Sequence, residues 1–247
     1  MLTTMPRLAR IVVPNLPHHV TQRGNLRQAI FFEPGDQRVY LHHLAKQARE
    51  AGVAVWAYCL MPNHVHLILV PGDESGLARA VGETHRRYTN FINLRREATG
   101  HLFQSRFASE VMDENHLAAG VRYVSLNPVR AGLTRRAEDW PWSSARAHLG
   151  GRDDGVVTVA PILARIPEFA AMLQAAEREQ EFTQLRRCER TGRPFGSKAF
   201  VADLERQLGR VIAEQRRGRK PRGKIGDSIS ISLFPQRSPG SDDGVGN

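Results

Sequence analysis

Cysteine is rare in this chain of 247 residues: only Cys59 and Cys188 occur, far apart in the sequence. This usage excludes a framework of disulfide bonds and is typical of proteins from a reducing compartment. Long apolar runs are absent as well, because none approaches the roughly 20 residues of a membrane-spanning helix. The first residues also lack the apolar segment of a signal peptide. We therefore expect a soluble cytoplasmic protein without membrane contact.

Acidic residues are also few in comparison with basic ones. The chain has 25 Asp and Glu against 35 Lys and Arg, which leaves a net charge of +10 and a pI near 10.5. Most of this excess lies in residues 183–224, where thirteen basic residues stand against four acidic ones. A surplus of this size predicts a polyanionic partner, nucleic acid rather than an anionic membrane, and therefore a place at the nucleoid.

The predicted elements follow the order strand, helix, hairpin, helix, strand and helix. This order is typical of an α+β fold with an antiparallel sheet, and its simplest closed form is a ferredoxin-like βαββαβ sandwich with an added helix. We expect this domain to cover residues 1–150. A basic helical extension that binds DNA is predicted over residues 151–224, and a disordered tail over residues 225–247.

Two apolar runs flank a Pro-Asn turn, which predicts a hairpin whose second strand opens with His64 and His66. Side chains at i and i+2 of a strand share a face, so the two imidazoles are expected to converge, about 7 Å apart at the Cα atoms. Such a pair forms part of an open site for a divalent metal. It also occurs simply as the polar face of a half-exposed sheet. His19, near the first strand, is predicted to be a surface residue.

Four tyrosines could serve as a nucleophile: Tyr40, Tyr58, Tyr88 and Tyr123. Tyr88 lies on the apolar stripe of its helix and is predicted to pack in the core. Tyr123 lies off the apolar stripe of the following helix and is expected to be exposed. Asn127 is one turn further along the same face, and we expect the helix to end there because a proline follows.

Three stretches together resemble one known family. They are Leu60-Met-Pro-Asn-His-Val-His-Leu67, Gln104-Ser-Arg-Phe107 and Tyr123-Val-Ser-Leu-Asn-Pro-Val-Arg-Ala-Gly-Leu133. In this order, within residues 5–150, they resemble the REP-associated tyrosine transposases, which are bacterial relatives of the single-tyrosine HUH transposases. The resemblance implies an HUH endonuclease fold. It also implies a transposase that cleaves and rejoins single-stranded DNA at hairpin, REP-like sequences through a 5′-phosphotyrosine intermediate.

The resemblance assigns the site residues as well. Tyr123 corresponds to the catalytic tyrosine, while His64, His66 and Asn127 correspond to metal ligands. Related mobile elements have Gln at the last of these positions, and Asn is one methylene shorter. Two neutral imidazoles and one amide oxygen leave a bound cation its full charge, which suits Mg²⁺ or Mn²⁺ better than Zn²⁺.

Basic and polar residues near these motifs and in the extension are expected to contact DNA: Arg23, Arg86, Arg87, Gln104, Arg106, Arg130, Arg186, Arg187, Arg193, Arg217 and Arg219. The stretch Arg217–Gly223 resembles the minor-groove arm known as an AT-hook, although Lys220 interrupts it. The expected partner is single-stranded or hairpin DNA. The protein is expected to act as a monomer or a homodimer.

Two other functions fit part of the pattern. A non-catalytic regulator would bind hairpin DNA through its basic extension and keep a vestigial histidine pair. A metal-dependent nuclease would use the same histidines with water as the nucleophile. A covalent protein–DNA adduct separates both of them from a tyrosine transposase.

Overall fold

The computed structural model describes residues 10–175 and 179–213. Its strands are β1 (His18–Arg23), β2 (Val53–Met61), β3 (His64–Pro71) and β4 (Ala108–Val111). The α-helices of the described residues are α1 (Asp36–Glu50), α2 (Gly76–Arg95), α3 (Glu114–Arg130), α4 (Ala145–Gly150), α5 (Ala160–Arg165), α6 (Phe169–Gln174), α7 (Glu179–Thr191) and α8 (Lys198–Leu208). None of these described helices combines the length and the apolar character needed to cross a membrane.

The four strands form one antiparallel sheet in the order β2-β3-β1-β4. Strands β2 and β3 are joined by the predicted Pro-Asn turn, with Met61 opposite His64. Helix α1 connects β1 to β2, and α2 connects β3 to β4. This connectivity is that of the predicted ferredoxin-like sandwich. The predicted α+β fold class with an antiparallel sheet is therefore confirmed.

Helices cover both faces of the sheet. Helices α1 and α2 pack on one face, where Val65, Leu67 and Leu69 of β3 enter the core. Helices α3 and α7 pack on the opposite face, around Ile68 of β3. Since strand side chains alternate between faces, His66 shares the second face with Ile68. The histidine side chains of β3 therefore point toward α3 and α7.

Gly120 of α3 packs against the side chains of Met112, just after β4, and Ile68 of β3. A Cβ atom there would lie 2.7 Å from the sulfur of Met112, so glycine permits this approach. The helix begins at the side chain of Asp113, which accepts a hydrogen bond from the backbone nitrogen of His116 at 2.9 Å. The expected end at Asn127 is wrong, because α3 continues through a proline to Arg130. A proline in the last turn interrupts few of the hydrogen bonds that hold a helix.

The chain beyond residue 150 continues into the same core. Leu185 and Cys188 of α7, together with Phe195, are buried against the second face of the sheet. The limits predicted for the domains remain predictions, as does the status of the extension as a separate unit. The AT-hook-like stretch and the tail after residue 225 lie outside the described residues.

Candidate active site

The two histidines of β3 lie side by side. The ring centroids of His64 and His66 are 4.9 Å apart, with the ring planes at 78°. His66 is buried at 2% exposure, whereas His64 is half-buried beside a cavity. Strand alternation thus brings both imidazoles to one place, as the His-Val-His spacing predicts.

One ring nitrogen of each histidine is already engaged. Nδ1 of His64 lies 2.6 Å from Oδ1 of Asn63, and Nδ1 of His66 lies 3.0 Å from Nε2 of His19. Burial lowers the pKa of His64 to about 4, helped by the charge of Arg23. Burial also lowers the pKa of His66, and the neighbouring histidines and Arg23 add to the effect. Both rings are therefore neutral at pH 7, which is the form that binds metals through a ring nitrogen.

The prediction that His19 lies on the surface is wrong. Its side chain is fully buried, and its ring lies edge to edge with that of His66, with centroids 5.2 Å apart and planes at 7°. On its other side, Nδ1 lies 3.2 Å from Oε2 of Glu110, which is also buried. The reason is that β1 is an inner strand with helices on both faces, which buries the side chain of His19. In the predicted ferredoxin-like fold the first strand lies inside the sheet. That strand order is the sequence-based signal that could have indicated the burial of His19.

Tyr123 of α3 faces His66 and His19. Its ring lies edge-on to His66 at 5.5 Å and to His19 at 6.0 Å between centroids. The expected exposure is wrong, because the side chain is only 6% exposed. Phe182 of α7 covers it, with ring centroids 5.3 Å apart. The helix therefore has a second packing face, which is covered by a helix more than fifty residues further along the chain.

The surroundings of Tyr123 keep its phenol protonated at neutral pH. Burial raises the pKa of Tyr123, and the carboxyl group of Glu189 acts in the same direction. The guanidinium groups of Arg130 and Arg186 oppose this shift without reversing it. The guanidinium carbon of Arg130 lies 5.4 Å from the centre of the Tyr123 ring. A nearby positive charge of this kind stabilises a phenolate that forms during a reaction.

Asn127 follows Tyr123 by one helical turn, as predicted. Its Nδ2 donates a hydrogen bond of 3.0 Å to the backbone oxygen of Tyr123. This bond orients the amide and leaves Oδ1 for another partner. The side chain is half-buried. Asn127 is thus held beside Tyr123, whose ring contacts His66.

An open cavity of about 230 Å³ lies beside His64. Its lining includes Arg23, Gln104 and Arg106, three of the residues predicted to contact DNA. Arg23 pairs with His64 across β1 and β3. The backbone nitrogen of Gln104 donates to the oxygen of Arg23 at 2.8 Å, which holds this loop against the strand.

Helix α7 adds two residues to this cavity that the sequence did not indicate. They are Glu189 and Arg190. Burial raises the pKa of Glu189, and the nearby Glu110 adds to the shift while His19 opposes it. No local pattern marks these positions, since they reach the site only because α7 returns across the sheet.

The other described residues that were predicted to contact DNA do not line this cavity. Arg86 and Arg87 lie on α2, which packs on the opposite face of the sheet, and their guanidinium groups lie 2.9 and 3.4 Å from the carboxylate of Glu83. Arg130 lies beside Tyr123, with its guanidinium group 3.7 Å from the carboxylate of Glu179. The others are distributed along the C-terminal part of the chain. Arg186 and Arg187 lie on α7, Arg193 follows it, and Arg217 and Arg219 lie outside the described residues.

The predicted metal ligands are imidazole nitrogens and an amide oxygen, which are atom types that bind divalent cations. Within residues 10–175 and 179–213, no three His, Cys, Asp or Glu side chains are grouped so that they could hold a metal ion. The predicted set of two histidines and Asn127 does not require such a group. The contacts described above use Nδ1 of each ring and Nδ2 of the amide, and they leave two Nε2 atoms and one Oδ1 without a contact described here.

Comparison with known proteins shows what this part of the chain is similar to. The model of the IS200-like transposase family matches residues 12–127, which include the sheet, the histidine pair and Tyr123. These residues are therefore similar to IS200-like transposases. A solved structure of a REP-associated tyrosine transposase bound to a REP hairpin matches with a TM-score of 0.52 at 21% identity, over 62% of this chain and 92% of that one. This likeness shows a shared fold.

The curated relatives are REP-associated tyrosine transposases. A Haemophilus influenzae protein of this class is 26% identical over 99 residues, which cover 36% of this chain and 56% of the relative. The REP-associated tyrosine transposase of Escherichia coli is 24% identical over 105 residues, or 42% and 61% of the two chains. The chain thus spans about three fifths of the length of these relatives. The resemblance to REP-associated tyrosine transposases that the motifs predict is confirmed.

Proposed function

We propose that this protein cleaves and rejoins single-stranded DNA at REP-like hairpins through a covalent 5′-phosphotyrosine. The observation that carries the proposal is the contact of one phenol ring, that of Tyr123, with the neutral imidazole of His66, which in turn lies beside His64. The family of the domain and the REP hairpin bound by a relative of the same fold both support DNA as the substrate.

In the cleavage step, the oxygen of Tyr123 attacks a backbone phosphorus. The bond from that oxygen to phosphorus forms while the bond from phosphorus to the 3′ oxygen breaks. The phenol loses its proton, and the leaving 3′ oxygen gains one. Because the phosphotyrosine conserves the phosphodiester bond, a 3′-hydroxyl of another strand reverses the step and rejoins the DNA.

His64 and His66 would hold a divalent cation through Nε2, and Asn127 would contribute Oδ1. Bound Mg²⁺ or Mn²⁺ would supply polarisation of the scissile phosphate. The role of the protein is to keep both imidazoles neutral by burial and to hold the phenol beside them. Arg130, over the ring of Tyr123, stabilises negative charge on the phenol oxygen.

The cavity beside His64 is the proposed path of the DNA backbone. Arg23, Arg106 and Arg190 line it and offer planar cationic groups suited to phosphates. Gln104 contributes an amide that can reach either a phosphate or a base edge. Arg190 belongs to α7, so the C-terminal part of the chain is expected to take part in positioning the DNA.

A covalent-adduct experiment tests the proposal. Full-length protein is incubated with Mg²⁺ and a single-stranded hairpin oligonucleotide that is radiolabelled on both sides of the cleavage site, and then separated under denaturing conditions. We expect a protein band that carries the label, together with a free 3′-hydroxyl fragment. Cleavage without an adduct would indicate a nuclease that uses water, and binding without cleavage would indicate a regulator. Either result would contradict the proposal.

The basic residues after the described part of the chain are expected to supply affinity. Residues 214–224 hold six Lys and Arg against one Glu, so deleting residues 214–247 removes these cations without cutting into α7 or α8. DNA binding should weaken, and the slope of log affinity against log salt should flatten by about 0.7 for each phosphate that is no longer neutralised. Cleavage at saturating DNA should persist.

Fluorescence anisotropy at several salt concentrations measures this effect. Deletion of residues 225–247 alone is the matched control, because it keeps the six basic residues. Equal affinities and equal salt slopes for the two truncated proteins would show that these cations do not contact the DNA.

A further inference from the structure

Three buried polar side chains form a continuous line across three strands. Glu110 of β4 lies directly opposite His19 of β1, and His66 of β3 lies diagonally across on the other side. Oε2 of Glu110 lies 3.2 Å from Nδ1 of His19, and Nε2 of His19 lies 3.0 Å from Nδ1 of His66. All three side chains are at most 2% exposed. Among the described residues, neither oxygen of Glu110 nor Nδ1 of His19 has a well-aligned hydrogen bond, so the 3.2 Å contact between them is close but not aligned.

A buried acid of this kind is costly, because a carboxyl group gives up its hydration when it enters the core. An apolar pair would fill the space between β1 and β4 without that cost. The line is therefore better explained by what it does to His66 than by any contribution to stability.

We propose that His19 and Glu110 are positioning residues that fix the tautomer of His66, so that its Nε2 keeps a free lone pair. This inference rests on the proposed function in one respect, which is that a metal ion binds the lone pair of Nε2. A neutral imidazole carries one proton, on Nδ1 or on Nε2. If Nδ1 of His66 donates to His19, then Nε2 of His66 must be the unprotonated nitrogen.

The direction of the hydrogen bonds in this line depends on the group at its end. When Nε2 of His19 accepts from His66, the proton of His19 must sit on Nδ1, which faces Oε2 of Glu110 at 3.2 Å. A carboxylate at Glu110 can only accept, so it favours this tautomer of His19 and, through it, the proton of His66 on Nδ1. A neutral Glu110 whose hydroxyl donated to His19 would reverse the line and put the proton of His66 on Nε2, so the inference assigns Glu110 the role of acceptor.

The tautomer of His64 is fixed by a single neighbouring residue, Asn63. Nδ2 of Asn63 donates to the backbone oxygen of Arg27 at 3.0 Å, which orients the amide. Its Oδ1 therefore faces Nδ1 of His64 and can only accept. Nε2 of His64 is left with a lone pair. Both rings of the pair are thus prepared in one tautomer, one by an amide at the turn and one by the line through His19.

Outer partners that orient a ligating histidine commonly change metal affinity by about 10- to 100-fold when they are replaced. Two substitutions at position 19 separate positioning from packing. His19→Phe keeps a ring of similar shape but removes the acceptor. His19→Gln places an amide oxygen close to the position of Nε2 and restores it. Glu110→Gln and Glu110→Leu form a second pair, in which glutamine keeps an oxygen that can accept a hydrogen bond and leucine removes it. This pair is used if His19→Phe fails to fold.

Nitrogen-15 NMR of the full-length protein, free of DNA and metal, reports the tautomer of each histidine, with His66 assigned from the spectrum of His66→Gln. We expect Nε2 of His66 to be unprotonated in the native protein, in His19→Gln and in Glu110→Gln. In His19→Phe and in Glu110→Leu, Nε2 of His66 should be protonated in a large fraction of the molecules. Calorimetric titration with Mn²⁺ should show affinity falling about 10- to 100-fold in the same two variants, with near-native affinity in the amide variants.

A native His66 protonated on Nε2 would overturn the inference. So would an unchanged tautomer in both His19→Phe and Glu110→Leu, even if their thermal unfolding midpoints fall, because a packing role alone predicts that pattern. The readout needs neither DNA nor cleavage. Its failure is therefore distinct from failure of the adduct experiment, which tests the proposed function.

Discussion

Tyr123→Phe is expected to abolish the covalent adduct and strand cleavage together, with a loss of roughly 10⁴-fold or more. The substitution removes one oxygen and keeps the ring that packs between His66 and Phe182. The free energy of unfolding should change by only about 1 kcal/mol, since a single hydroxyl is removed. Labelled hairpin DNA, resolved on denaturing gels, measures both losses in one experiment. Hairpin affinity should remain, because phosphate contacts supply most of it.

Tyr88→Phe is the matched control for this substitution. Tyr88 is fully buried on the opposite face of the sheet, and its hydroxyl donates a hydrogen bond of 2.7 Å to the backbone oxygen of Ile30. Its loss should cost about 1 kcal/mol of stability and leave cleavage intact. Peptide mapping of the native adduct to Tyr88 or Tyr58, rather than to Tyr123, would contradict the assignment of the nucleophile.

Removal of either histidine of β3 is expected to abolish cleavage in Mg²⁺ while hairpin binding survives. His64→Ala gives the cleaner result, because His64 is half-buried and bonds to Asn63 at the turn. His66→Ala also leaves His19 without its ring partner in the core, so a lower unfolding midpoint is expected as well. Cleavage rates across a Mg²⁺ titration, with anisotropy for binding, separate the two effects.

His42→Ala provides the control for this pair. His42 is exposed on α1, on the face of the sheet away from the site, and its removal should change neither cleavage nor binding. Native rates of cleavage for His64→Ala or His66→Ala in Mg²⁺ would rule out the proposed role of the histidine pair. A loss of hairpin binding equal to the loss of cleavage would place these side chains in DNA contact instead.

Several features of this protein are determined by local sequence. The Pro-Asn turn with apolar runs on both sides specifies the hairpin, and the spacing of His64 and His66 specifies that both imidazoles share a face. The interval of four residues places Asn127 one turn after Tyr123. The order of the elements specifies the α+β class. Each of these depends on residues close together in the chain, where backbone geometry alone decides the outcome.

The tertiary structure decided what surrounds those residues. His19 is buried because β1 lies between β3 and β4, strands that follow it at long distances in the sequence. Tyr123 is buried because α7 returns across α3, and the same helix brings Glu189 into the cavity beside His64. Periodicity tells which way a side chain faces within its own element. Burial, partner and pKa depend on which distant element packs against that face, and this is set by the balance of long-range packing over the whole chain.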